Sequence, residues 1–486
     1  MHHQGAHLHG PADLDISGLS YDSRSVRRGH LFAALRGAKQ DGLEFAKTAK
    51  RRGAVAVLSD RVPTLEMPWI EAANPRAALA DLSAAYFGNP AERLSLVGVT
   101  GTNGKTTTAF LIEAGLRSAS KTTGLMGTVE TRIAGRPRPS SLTTPESLDL
   151  QRLLREMVDE GVTHAVLEVS SHALVQERVR GLKFKAAVFT NLTRDHLDFH
   201  GGFEPYFEAK KRLFIDHLHQ DGVAIVNMDD ERGPSLVQAL GRSRCRTFGF
   251  AAGSDYRPEG LSISLDGMQF VCATPEGRVD VRSPLVGSFN VSNLLGAIGA
   301  LVALGLTARE AALGASRLSG VPGRMERVDA GQPFTIIVDY AHTDDALRNL
   351  LDTLRSLAPR RIISVFGCGG DRDRSKRPLM GSVAAQRSDL VIATSDNPRS
   401  EPPSGILDEI AQGFKNHATP FKLIVDRREA IETALRSAAP HDLVVIAGKG
   451  HEATQTIRER KLPFDDRLVA RDILKSLTSG GVDAHS

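Results

Sequence analysis

Residues 98–108 read GVTGTNGKTTT, directly after the apolar run LSLV. The strict phosphate-loop spacing G-x-x-x-x-G-K-[ST] is not met, because position 99 is Val99 and glycines stand at Gly98, Gly101 and Gly104. The chemistry is nevertheless present. Gly101 and Gly104 let the backbone curl until successive N–H groups face an anion. Lys105 brings a point charge for β/γ-phosphates, and Thr106 a hydroxyl for Mg²⁺. LSLVGV reads as a buried strand and TTTAFLIEAGLRSA as a helix, so the loop opens a helix whose N-terminus favours negative charge. An ordinary glycine turn has no need of the Lys-Thr pair. ATP binding is what this stretch supports.

Upstream, HLFAALRG, LEFAKTAKRRG and AVAVLSD alternate strand and helix until FGNPAERLS interrupts the pattern. Downstream, THAVLEV, KAAVFTNL and GVAIVNM continue as buried parallel strands. LSISLDGMQFVCATPEGRVDVRSPL then alternates as antiparallel hairpins, the helix VSNLLGAIGALVALG follows, and GVPGRMERV marks a second break. FTIIVDYA, RIISVFGCGG, DLVIATSDN, FKLIVD and DLVVIAGKG restart the alternation, as in a doubly wound sheet. The expected fold class is α/β in three domains. Residues 1–93 form a small α/β domain, and 94–327 a central P-loop ATPase-type parallel sheet with an added antiparallel part. Residues 328–486 form a C-terminal Rossmann-like doubly wound domain.

An apolar fraction of 41% and a charged fraction of 24% in 486 residues describe a soluble globular chain. A net charge of +4 is small for this length and gives no footprint for nucleic acid. Cys245, Cys272 and Cys368 are odd in number and widely spaced, which suits a reducing cytosol. No apolar stretch has the length to span a bilayer, and a cytoplasmic protein without membrane insertion is expected. MHHQGAHLHG reads as a loose histidine-rich tail.

Other polar clusters fall at strand ends. EVSSH places Glu168 where an ATP site needs a second Mg²⁺ ligand. TNLTRDHLDFHGG carries Asp195, His196, Asp198 and His200, equally suited to a metal or to a capping and ion-pair network. EPYFEAKKRLF puts Lys210 and Lys211 on a helix, where a solvated basic face is the ordinary reading. In GSFNVSNLLGA, capping explains Asn290, whereas Asn293 sits inside the helix. YAH, GCGGDRD, SDNPR and GKGHE gather on one edge of the third sheet, and Arg399 in DNPR suits bidentate recognition of a carboxylate.

In this order the motifs resemble the Mur ligases of peptidoglycan synthesis, an ATP-dependent amide-forming family, over nearly the whole chain. GTNGKTT, EVSSH, NLTRDHLD, the Ala209–Lys210 pair, GSFNVSN, PGRMERV and VDYAHTDDAL match in succession. YDSR and RGAKQDG resemble its uridine-binding domain, and DNPR and GKGHE the part that selects diaminopimelate in one branch. The resemblance implies a monomer that joins UDP-MurNAc-L-Ala-D-Glu to meso-diaminopimelate at the expense of ATP, and so serves cell shape and division.

It also implies site residues. Gly101, Thr102, Asn103, Gly104, Lys105, Thr106 and Thr107 would bind ATP phosphates, with Asn293, Arg324, Asp339 and His342 around the nucleotide. Thr106, Glu168, His196 and Lys210 (as a CO₂-derived carbamate) would hold Mg²⁺, and Lys105, Lys210, His196 and Glu168 would be catalytic. Tyr21, Ser23, Ala38, Lys39 and Gln40 would take the uridine nucleotide, and Thr143, Thr144, Ser170, Gln176 and Arg178 the muramyl-dipeptide. Arg372, Asp396, Asn397, Pro398, Arg399, Gly448 and Glu452 would bind diaminopimelate. Leu142 and Leu43 stand where some or many members carry asparagine and histidine; neither position bears a reacting group. A folylpolyglutamate synthetase-like ligase, a lysine-adding Mur ligase and a nucleotide-switched binding module are the rival readings.

Overall fold

The computed structural model describes residues 6–37 and 40–479. Three large sheets divide the chain. The first has the order Ala6–His9, Trp69–Ala72, Ala54–Ser59, His30–Ala33, Gly18–Ser20. Its outermost strand is antiparallel and the rest are parallel. The loose-tail expectation fails for residues 6–9. They pair along Trp69–Ala72, His9 Nε2 meets Glu71 at 3.0 Å, and the His9 ring stacks on Trp69 at 4.4 Å. A four-residue, largely exposed strand has no local signal when its partner lies far along the chain.

The central sheet has eight strands in the order Cys245–Phe248, Leu218–Asn227, Phe184–Phe189, Ser95–Thr100, His164–Glu168, Thr123–Met126, Glu130–Ile133, Arg136–Pro139. The first six run parallel, and the last two extend the sheet as antiparallel additions. The parallel strands are nearly continuous in Val, Leu, Ala and Phe because both faces are covered. Helices Lys105–Ser118 and Ser288–Ala303 pack on one face. Helices Ser147–Asp159 and Phe203–Ile215 pack on the other. A separate antiparallel sheet, Arg257–Ser264, Gly267–Thr274 and Gly277–Ser283, supplies the expected hairpins.

The third sheet runs Glu326–Arg327, Thr335–Asp339, Leu443–Ala447, Ile362–Phe366, Leu390–Thr394, Phe421–Ile424. It takes in Glu326–Arg327, which the sequence reading left with the central domain. All its strands are parallel except Glu326–Arg327. The chain moves outward from Ile362–Phe366 and then returns to lay Leu443–Ala447 beside it. That reversal opens a crevice at the carboxyl ends of these strands, where ligands bind in open α/β sheets. The wholly buried Arg427 closes the floor of this region. It pairs with buried Asp466 at 2.7 Å and donates to the carbonyls of Ser395 (3.2 Å) and Ala447 (3.0 Å), tying together two strand ends. Both charges are satisfied by hydrogen bonds, the condition under which a buried pair is tolerated. Among the described residues no helix is long and apolar enough to cross a membrane.

Candidate active site

Strand Ser95–Thr100 delivers the chain into a loop that only glycine can make. Gly101 has φ +150° and Gly104 φ +82°. A Cβ on Gly101 would lie 1.8 Å from Thr190 Oγ1, and one on Gly104 2.4 Å from Asn293 Oδ1. Helix Lys105–Ser118 then begins with no side-chain cap, so its first N–H groups remain for an anion. Lys105 Nζ donates to the carbonyls of Gly101 (2.9 Å) and Thr102 (2.8 Å), and burial lowers its pKa. Asn293, the asparagine that capping did not explain, accepts from Thr108 Oγ1 at 3.2 Å and lies against Gly104, fixing the loop to a second helix.

Thr106 Oγ1 donates to Glu168 Oε2 at 2.9 Å, and Glu168 also accepts from the backbone N–H (2.8 Å) and hydroxyl (3.1 Å) of Thr128. A hydroxyl and a carboxylate side by side are hard oxygen donors and fit Mg²⁺. Among the described residues no three His, Cys, Asp or Glu side chains converge as a metal cage. A Mg²⁺ ion here would therefore lean on phosphate oxygens and water, its usual habit.

Lys210 is not on a solvated face. It is buried, its Nζ donates to Gly101 O at 2.7 Å, and it sits 4.5 Å over the Tyr206 ring. Burial, reinforced by Lys105, pushes its pKa well below the lysine range, toward the neutral amine that a carbamate requires. The spacing of an amphipathic helix could not reveal this, because the groove receiving Lys210 is built by the phosphate loop. Its neighbour Lys211 does lie near the surface, paired with Glu208 at 2.9 Å. His196 has φ +53° and lies 3.3 Å from Asp195, and its ring meets His172 edge-on at 4.7 Å. Desolvation outweighs Asp195 and holds His196 neutral, with a pKa lowered to about 3. His200 turns away to Ser171 at 2.9 Å.

The third domain faces these groups. Arg324 Nη2 comes within 3.4 Å of Thr106 Oγ1 and its guanidinium lies 4.2 Å over Tyr340. Asp339 accepts from the N–H groups of Met325 (2.7 Å) and Ala341 (2.8 Å), and burial raises its pKa. His342 is turned to the Tyr340 carbonyl at 2.9 Å, with burial lowering its pKa. Asn103 reaches across to Asp345 at 3.2 Å and Arg194 to Ser375 at 2.7 Å, two bridges that sequence reasoning missed. In the DNPR loop, Arg399 adopts φ +51° and donates to Gly370 O at 2.7 Å. Gly448, at φ +113°, leaves room for Asp396, whose Oδ2 lies 2.7 Å from where a Cβ would stand. Asn397 Nδ2 donates to Glu452 Oε2 at 2.8 Å, and exposed Arg372 lies beside Gly369.

On the first-domain side, Tyr21 OH donates to Asp149 at 2.5 Å and Ser23 is buried, while Gln40 is exposed. Ala38 and Lys39 lie outside the described residues. Thr143 meets Thr128 at 3.0 Å, Thr144 donates to Glu168 O at 2.8 Å, and Ser170 caps helix Ser171–Val175. Arg178 donates to Thr144 O (2.8 Å) and Gln176 (2.7 Å). Glu146 holds both Arg178 and Arg76 at 2.9 Å, a clamp between domains that the sequence did not disclose.

A cleft of about 1220 Å³ joins most of these groups. Its wall carries Thr102–Thr107, Thr143, Thr144, Glu168, Ser170, Arg178, His196, Asn293, Arg324, Asp339, His342, Arg372, Asp396, Asn397, Arg399, Gly448 and Glu452. Tyr21, Ser23, Gln40, Gly101, Gln176, Lys210 and Pro398 are not on it.

Three family models match in succession: Mur ligase family, catalytic domain (residues 15–92), Mur ligase middle domain (99–301) and Mur ligase, glutamate ligase domain (323–450). The chain is similar to the UDP-N-acetylmuramoyl-L-alanyl-D-glutamate–2,6-diaminopimelate ligase of Solibacter usitatus (strain Ellin6076), with 48% identity over 96% of this chain and 94% of that one. A solved structure bearing the same ligase name superposes with a TM-score of 0.67 at 36% identity, covering 95% of each chain. The MurF ligase of Thermotoga maritima in complex with ADP gives a TM-score of 0.64 at 19% identity, covering 98% of this chain and 100% of that one, a likeness of fold alone.

Proposed function

The chain belongs to the Mur ligase family, and we propose on that premise how its residues carry the reaction. It is an ATP-dependent ligase that adds 2,6-diaminopimelate, in its meso form, to the D-glutamate of UDP-MurNAc-L-Ala-D-Glu in peptidoglycan precursor synthesis. One observation supports the reading above the others. A single cleft unites the phosphate loop, the Thr106–Glu168 pair and the guanidinium groups of Arg372 and Arg399, which come from two different domains.

A carboxylate does not condense with an amine at neutral pH without activation. The D-glutamyl carboxylate attacks the γ-phosphorus of ATP, the bond to the bridging oxygen breaks with its electrons going to ADP, and an acyl phosphate results. The diaminopimelate amine then adds to the acyl carbon. The tetrahedral intermediate expels phosphate, and the surplus amine proton passes to solvent. The N–H groups from Gly101 to Thr107 cradle the phosphates, and Lys105 Nζ leaves its loop carbonyls to spread the phosphoryl charge. Thr106 and Glu168 would hold one Mg²⁺, and His196 with a Lys210 carbamate would hold a second; the ions would supply counter-charge to the phosphate oxygens.

Asn293, Arg324, Asp339 and His342 hold the rest of the nucleotide. Tyr21, Ser23 and the segment ending at Gln40 take the uridine end, and Thr143, Thr144, Ser170, Gln176 and Arg178 orient the peptide. Diaminopimelate exceeds lysine by one carboxylate, for which Arg399 offers a forked partner. Asp396, Asn397, Pro398, Gly448, Glu452 and Arg372 complete that end. Much of the rate comes from positioning, with the domains closing over bound substrates. The reaction is assigned to a cytosolic monomer. Phosphate release from ATP and Mg²⁺ with the UDP-dipeptide tests the assignment. Release with meso-diaminopimelate and not L-lysine is expected; release with lysine alone overturns the amino-acid assignment.

A further inference from the structure

Lys449 is completely buried, a costly place for an ammonium unless every N–H is used. All three have acceptors: Thr454 O at 2.7 Å, Glu452 Oε2 at 3.0 Å and Asn397 Oδ1 at 3.4 Å. Asn397 Oδ1 also accepts from the backbone N–H of Thr456 at 2.8 Å, and its Nδ2 donates to the same Glu452 Oε2 at 2.8 Å.

This network leaves the amide only one orientation. Turned over, Asn397 would set its NH₂ against an ammonium and a backbone N–H, both donors. Glu452 Oε2 is likewise committed twice, and Oε1 stands outside the network. Asn397 and Glu452 line the cleft whereas Lys449 does not. An entering amino acid therefore meets an N–H edge suited to a carboxylate and a carboxylate oxygen suited to an ammonium.

We propose that Lys449 is a positioning residue of the amino-acid site, fixing the donor and acceptor edges that Asn397 and Glu452 present; this rests on the assignment of that site to diaminopimelate. Lys449 works behind the site and touches no substrate.

Lys449→Met removes the donors while keeping the reach of the stem. In the full-length enzyme it is expected to raise the KM for diaminopimelate roughly ten- to hundredfold, with the KM for ATP and for the UDP-dipeptide unmoved. In an Asn397→Ala background the same substitution should raise the KM by less than it does alone, since part of its effect passes through the amide and the rest through Glu452. Equal increases in all three KM values, a fall in kcat alone, or additive effects with Asn397→Ala overturn the proposal. Should Lys449→Met not fold, Lys449→Gln carries the same comparison. Failure of both to fold makes the lysine a requirement of the fold and also overturns the proposal. If Asn397→Ala and Arg399→Ala leave the diaminopimelate KM unmoved, the site assignment falls and the proposal with it. If those two raise it and Lys449→Met does not, only the role of Lys449 falls.

Discussion

The hydroxyl of Thr106 donates to Glu168 across 2.9 Å, although 62 positions separate them in the chain. Adjacent parallel strands, Ser95–Thr100 and His164–Glu168, end in register and bring the two oxygens together. Glu168→Gln keeps the shape and removes the charge. It should lower kcat about a hundredfold or more and raise the Mg²⁺ concentration for half-maximal phosphate release. An unaltered Mg²⁺ titration would count against Glu168 as a ligand.

Lys105 carries the only side-chain cation within the phosphate loop itself. Lys105→Ala should abolish turnover and leave the circular dichroism spectrum and melting cooperativity intact. Normal turnover would sink the ligase mechanism as drawn.

Arg399 is held by Gly370 O and by a left-handed backbone, so its guanidinium is placed before substrate arrives. Arg399→Ala should raise the KM for diaminopimelate roughly ten- to hundredfold and scarcely move that for ATP. Equal changes in both would refute selective recognition of the extra carboxylate.

Lys210 gives a pH signature. Burial, then Lys105, lowers its pKa in the fold, while the unfolded chain keeps the ordinary lysine value. Between the two the unfolded state binds more protons, so stability from this group rises with pH through that window and is least below the folded pKa. Lys210→Met should flatten this slope in melts recorded against pH, and a slope identical to wild type would contradict the assignment. Removal of dissolved CO₂ should lower activity and bicarbonate restore it, if the neutral amine is carbamylated.

Asp442 gives the opposite signature. Burial alone would raise its pKa, but Arg360 (2.9 Å), the Ala439 N–H and Arg361 (2.8 Å) outweigh it and hold the carboxyl at about 2. Its stabilisation is complete above the ordinary carboxylate range and is lost as pH falls through about 2. Asp442→Asn should lower the melting temperature at neutral pH and weaken its dependence on acid. An unchanged acid limb would assign acid lability elsewhere.

The α/β class and the phosphate loop were legible because their signals are local: buried parallel strands read as apolar runs, and Gly-Lys-Thr chemistry occupies adjacent positions. Asn293 stands out in the sequence because capping does not explain an asparagine inside a helix, and in the fold it accepts from Thr108. Lys210 was misread from its residues alone because helical spacing says nothing of a neighbouring loop. Asp345 and the Arg76–Glu146–Arg178 clamp left no signal, being defined by pairs far apart in sequence, and GKGHE did not disclose that Lys449 is buried against Asn397. The strand Ala6–His9 failed for the same reason, its partner being the returning strand Trp69–Ala72.

The order of the third sheet also bears on synthesis. Leu443–Ala447 lies between Thr335–Asp339 and Ile362–Phe366, so a central strand of that sheet is synthesised after both of its neighbours. The phosphate loop and its sheet can fold earlier, as N-terminal domains do. The side of the cleft proposed for the amino acid stays open until that strand has been made. A product truncated before that strand thus holds the parts proposed to engage ATP but not the wall proposed to receive the amine, and is expected not to complete the bond.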